Sequence, residues 1–208
     1  MTGVHFGRIH RSTGATPGVK AVALALAGLL LVAAVPAAQT SGEPEEFTAF
    51  AVNMGTYTIG STASLIMTVN RWTPQAERDE LFTVLREKGQ RAFLDALQDT
   101  KRVGYLRTPQ SVGYELRLAL DEQGKDGGRR VILATDRQIS FAEARNRPPT
   151  IDYPFTVIDM TLGPDGTGEG TMSVAARIVP AGRTVVVENF DTQPVRLTRV
   201  ESRKLTKR

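Results

Sequence analysis

Three carboxylates close together in the sequence, Asp136, Glu143 and Asp152, come nearest to a catalytic set. Two carboxyl groups across a cleft can protonate a leaving group and activate water with no imidazole present, as in glycoside hydrolysis. Asp136 ends a strand-like run, Glu143 opens a helix and Asp152 precedes the next strand, so one rim of a sheet could gather all three. Each also has a plainer use. Glu143 stands three residues after Ser140, the spacing of a capping box, and the aspartates suit surface ion pairs. Arg107, Arg117 and Arg137 could converge on an anionic ligand or form the wet face of a sheet. Trp72 ends a strand just before a helix start, where its ring could stack on a ligand or plug the helix–sheet junction. Tyr114, with Tyr105, flanks a turn and offers either a ligand contact or a cross-strand packing pair.

What the chain lacks limits its chemistry further. It has no cysteine, and its two histidines, His5 and His10, lie in a basic, acid-free opening segment. Ala21 to Ala38 is almost all Ala, Leu and Val, and Val35-Pro36-Ala37 ends the run with small residues where a signal peptidase reads. Residues 1–37 are expected to be a secretory signal cleaved near Ala37, making the protein secreted or periplasmic. A membrane tie is expected only if that signal stays uncleaved. The trimmed chain has neither imidazole nor thiol. Disulfides, thiol chemistry, histidine-based triads and the common zinc ligand sets are then ruled out, and no cofactor or metal is expected. The formal net charge of +4 falls close to neutral once Arg8, Arg11 and Lys20 leave. No basic face for nucleic acid is visible.

The elements that would position these residues alternate in a β-rich pattern. The clearest strand carries Val112, Tyr114, Leu116, Leu118 and Leu120 on one face, with Gly113, Glu115, Arg117, Ala119 and Asp121 on the other. Phe47 to Ile59 and Ala63 to Trp72 read as the first two strands. Thr73-Pro74 then opens the long helical region, with Thr as the cap. Gly89 stops the first helix and a second follows over Gln90 to Gln98. Tyr153 to Leu162 and Thr171 to Val179 form a hairpin around the loop Gly163 to Gly170. That loop runs into a strand rather than a helix, and it offers too few oxygen ligands for calcium.

The expected fold is mainly β (α+β), an antiparallel β-barrel or sandwich of about nine strands in a meander. A helical hairpin is inserted after the second strand, and a short helix lies near 140–146. A flexible lead-in covers 38–46, the domain covers 47–201, and a basic tail covers 202–208.

The segments VNRW (69–72), ALQDT (96–100), VGYLRTPQSVGYELR (103–117), ATDRQISFAEARN (134–146) and DYPFT (152–156) resemble a group of small secreted bacterial proteins of unassigned function. The resemblance spans most of the trimmed chain. It implies export and a shared single-domain fold, and it carries no catalytic residue or cofactor.

Two readings of function follow. In the first, the protein is an exported, non-enzymatic domain binding a small ligand or an envelope or extracellular partner. A filled barrel would weaken the small-ligand version. In the second, it is a carboxylate-dependent hydrolase of glycosidase type, built on Asp136, Glu143 and Asp152.

Overall fold

A computed structural model of the chain describes residues 42–52, 62–109, 111–139, 152–182, 184–190 and 193–206. All of these fall in one unit, Ala37–Arg208. The leader and the short helix expected near 140–146, including Glu143, lie outside the described residues.

Nine strands are present among the described residues: β1 (Glu45–Val52), β2 (Thr62–Val69), β3 (Gly104–Arg107), β4 (Tyr114–Gln123), β5 (Arg129–Thr135), β6 (Phe155–Leu162), β7 (Thr167–Ala181), β8 (Thr184–Asn189) and β9 (Val195–Lys204). Every pairing is antiparallel. The order β6-β5-β4-β3-β2-β1-β9-β7 closes through a β6–β7 pairing, so eight strands form a barrel and β8 is an extra strand on β7. The sheet takes in both expected flanks. β1 begins at Glu45, inside the expected lead-in, and β9 runs to Lys204, inside the expected tail. The loop of the β6–β7 hairpin is shorter than expected, because Gly168 and Gly170 join the ladder opposite Leu162 and Met160. A side chain at Gly168 would come within 2.0 Å of the Thr161 carbonyl oxygen, so only glycine permits that approach.

Strand alternation sorts apolar side chains into two layers. Phe47, Ala49, Ala51, Leu65, Met67, Val69, Leu106, Leu116, Val131, Leu133, Ile158, Met160, Met172 and Leu197 point into the barrel and pack together with Trp72. Leu118, Leu120, Ile132, Phe155, Val157 and Ile178 point outward, where helix α1 (Gln75–Asp99) covers them with Leu81, Phe82, Leu85, Phe93 and Leu97. Each large side chain so buried contributes about 1.5–3 kcal/mol relative to exposure.

Two expectations need correction here. Leu116, Leu118 and Leu120 do not share a face. Leu116 pairs with Thr135 but Leu118 pairs with Ala134, so a bulge at Arg117 reverses the alternation. Leu116 enters the barrel and the later leucines meet the helix. Val112, assigned to the same face, precedes the strand and is almost wholly exposed. The helical region, Gln75–Asp99, does break at Gly89 as expected, where φ of 81° and ψ of −172° divide it into two helical stretches across a kink, but its start differs. Thr73 does not cap it. Its hydroxyl accepts from the Ala119 N–H at 3.0 Å, and its own N–H donates to the Ala119 carbonyl at 2.9 Å. Thr73 therefore extends the pairing of β4 beyond the short β3, and Pro74 stands at the helix start with no side-chain cap.

Candidate functional site

Of the three carboxylates singled out from the sequence, Asp136 and Asp152 fall among the described residues. Asp136 is buried at the end of β5, 5% exposed. One carboxylate oxygen accepts from Arg137 Nε at 3.1 Å, and the other lies 3.4 Å from Arg117 Nε. Arg117 also meets Glu115 at 2.8 Å and donates to the Thr100 carbonyl at 2.8 Å. Glu115 binds Arg102 at 3.2 Å, and that guanidinium lies 4.3 Å from the centre of the Tyr105 ring. This chain of charges ties the helix end and the β4 bulge to the end of β5. Asp152 is exposed in the bend before β6, and Glu143 is outside the described residues.

The three arginines do not form one group. Arg117 and Arg137 share Asp136, whereas Arg107 is exposed on the outer face of β3, opposite Ile66. Trp72 is a barrel plug. It is buried against Phe47, edge to face at 6.3 Å, and its Nε1 donates to the Glu43 carbonyl at 3.2 Å. Tyr114 packs half-buried against the barrel interior. Tyr114 faces Leu106 while Tyr105 faces Glu115, so the two tyrosines lie on opposite faces of the sheet and do not pair.

Two arrangements were not foreseen from the sequence. The first is a charge cluster at one end of the barrel. Glu45 is 1% exposed and accepts from Arg129 Nη1 at 3.0 Å and from Lys204 Nζ at 3.1 Å. A second Arg129 nitrogen binds the other Glu45 oxygen, and Arg129 also meets Asp121 at 3.1 Å. Its guanidinium lies 5.6 Å from the centre of the Phe47 ring. Burial opposes the Glu45 charge, but hydrogen bonds and charge from Arg129 and Lys204 outweigh it and hold the carboxyl below its ordinary pKa. Arg129 shows the counterpart. Burial disfavours its charge, while Glu45 and Asp121 raise its pKa. Two acids thus neutralise two bases.

The second arrangement lies on the outer wall. Phe50 sits between Ser64 on β2 and Thr198 on β9 and is 45% exposed. β9 bulges beside it, since Thr198 faces Phe50 but Glu201 faces Thr48. Within the bulge Arg199 adopts φ 50°, a left-handed conformation that disfavours any residue with a Cβ by about 1–2 kcal/mol. The guanidinium of Arg199 lies 6.0 Å from the centre of the Phe50 ring, within cation–π range.

Among the described residues, no group of three or more His, Cys, Asp or Glu side chains is placed to hold a metal ion. No protein-family model, no curated protein and no solved structure matches the chain.

Proposed function

We propose that the protein is an exported, non-enzymatic binding domain that holds an envelope or extracellular partner on the outside of its barrel. The observation that carries this reading is the filled bore. Phe47, Met67, Leu116, Leu133, Met160 and Leu197 are each fully buried inside it, and the charges at its end neutralise one another. A barrel packed at interior density leaves little room for a small molecule, so recognition falls to the wall. Phe50 and Arg199 supply the best centre there, because exposed aromatic and arginine side chains are the residues most often found at interface hot spots. Backbone strain on an exposed arginine supports the same choice, since such strain collects at functional positions.

The test is native mass spectrometry of protein purified from its own export compartment, beside a Phe50→Asp variant. The expected result is a retained partner chain on the wild type that is missing from the variant. A small molecule retained equally by both would overturn the reading.

A further inference from the structure

Among the described residues, the β7–β8 hairpin is the part of the sheet that stands outside the barrel. Residues 177–181 of β7 run past the last pair with β6, Phe155–Ala176, and bond to β8 alone. Such an overhang carries two strand edges, and free backbone groups on an edge are a template for another chain. The pairing shows which groups those are. Bonded and non-bonded pairs alternate along an antiparallel ladder. Phe190 N–H donates to the Ala175 carbonyl at 3.0 Å, which makes that pair a bonded one. The pairs Ala176–Asn189, Ile178–Val187 and Pro180–Val185 are then non-bonded. Their backbone groups point away from the hairpin, to one side on β7 and to the other on β8.

Side chains from distant elements close both edges. On the β7 edge, Gln90 of α1 sets its amide against Ile178 as a neighbouring strand would. Its Nε2 donates to the Ile178 carbonyl at 2.6 Å, and its Oε1 accepts the Ile178 N–H at 3.3 Å. Pro180, the next outward residue, has no N–H to offer. On the β8 edge, Arg130 of β5 donates from Nη2 to the Val185 carbonyl at 3.3 Å and from Nη1 to the Thr184 hydroxyl at 2.9 Å. Arg130 is itself held from behind. Its Nε and Nη2 grip the two oxygens of Asp159 at 2.9 and 2.6 Å, and Thr184 donates onward to Glu122 at 2.8 Å. Val185 is left 1% exposed.

We infer that Arg130 is an edge guard. Its contact with β8 stops the overhang from adding a strand of another molecule, and so keeps copies of the chain from associating there. A strand docking on β8 would need the outward groups of Val185, Val187 and Asn189 in succession. Arg130 takes the first carbonyl, and its guanidinium fills the position of the incoming strand's own donor. Two features separate this role from stability alone. The ion pair with Asp159 is complete without β8, because Nε and Nη2 satisfy it bidentately, yet the remaining donors of the same group are spent on the edge. The β7 edge of the same hairpin is closed by an uncharged side chain, so what the two places share is a blocked edge and not an ion pair. Neither Arg130 nor Gln90 touches the wall around Phe50, so the guard is independent of any partner held there.

The test is sedimentation velocity over a concentration series, with circular dichroism to confirm folding. Arg130→Gln combined with Asp159→Asn removes the guard without stranding the Asp159 carboxylate. Asp159→Asn alone removes the ion pair and leaves Arg130 on Val185 and Thr184. The expected result is at least tenfold tighter self-association of the double variant than of the wild type, with no change in Asp159→Asn. Adding Val186→Lys to the double variant puts a charge on the opened edge and should abolish the added association. Val186 is 51% exposed, so that substitution leaves the fold intact. Arg130→Lys keeps the charge beside Asp159 but loses the fork that reaches β8, and it gives the same reading if the double variant fails to fold. An unguarded variant that associates no more tightly than the wild type, equal association in Asp159→Asn, or association that persists with Val186→Lys would each overturn the guard.

Discussion

The wall of this barrel has two halves built on different rules. On one side β4, β5 and β6 lie beneath α1 and β8, and their strands are buried on both faces. Val131, Ile132, Leu133 and Ala134 follow one another with no exposed residue among them. On the other side, among the described residues, no helix lies over β1, β2 and β9. Phe47, Ala49 and Ala51 point inward, and Glu46, Thr48 and Phe50 point outward. A continuous apolar run marks a strand covered twice, and alternation marks a strand with a wet face. The clad half therefore serves stability, while the bare half has surface to spare. Phe50 breaks the polar pattern of the bare half, and it is the residue beside which the backbone is strained.

The largest expected effect lies under the helix. Phe93 is fully buried and meets Phe155 edge to face at 5.3 Å. Phe93→Ala should destabilise the protein by about 3–5 kcal/mol, read as a lower urea midpoint with an unchanged slope. Phe50→Ala on the bare half should change stability by about 0.5 kcal/mol or less, as surface substitutions do. Equal costs at the two phenylalanines would erase the distinction between the halves.

Next comes the charge cluster at the barrel end. Removing one member of a buried ion pair leaves the other without compensation, and Arg129→Met should cost about 3 kcal/mol, the low end of the range because Arg129 keeps some contact with water. The folded Glu45 carboxyl titrates below its ordinary value of 4.5, so the unfolded chain binds its proton first. The stability that Glu45 contributes is present above that value and is lost as pH falls through the lower, folded pKa. Urea midpoints taken from pH 7 down to pH 3 should fall in the wild type and fall less in Glu45→Gln. An identical acid slope in both would place the acid sensitivity elsewhere.

How much of this could be read beforehand depended on distance along the chain. The β-rich barrel, the helical region after β2 and the break at Gly89 follow from local patterns. The exchange of faces within β4 does not, because a bulge at Arg117 leaves the spacing of Leu116, Leu118 and Leu120 unchanged. The hub at Asp136 was half visible, since Arg137 is its neighbour and Arg117 had been singled out for another purpose. Glu45, Arg129 and Lys204 are brought together only by barrel closure, across separations of 84 and 159 residues. Phe50 left a signal that could have been used. Phe47, Ala49 and Ala51 fix the inward face, which leaves Phe50 facing outward among polar neighbours. The backbone angle of Arg199 had no such signal, because nothing in VRLTRVES distinguishes an arginine in a bulge from one in a regular strand.

The smallest effect on stability bears most directly on the bare half. Arg199→Gly removes a Cβ from a left-handed position and should stabilise the protein by about 0.5–1 kcal/mol, less than the full relief because glycine has more freedom to lose on folding. Thermal melts would show a small upward shift. A residue kept at a cost to the fold is explained if its side chain is needed outside the fold, so the same variant should lose the partner that the wild type retains. Higher stability with loss of the partner would separate the two roles of the bare wall. Higher stability with the partner fully retained would show that Arg199 only shields the Phe50 ring and would move the interface away from β9.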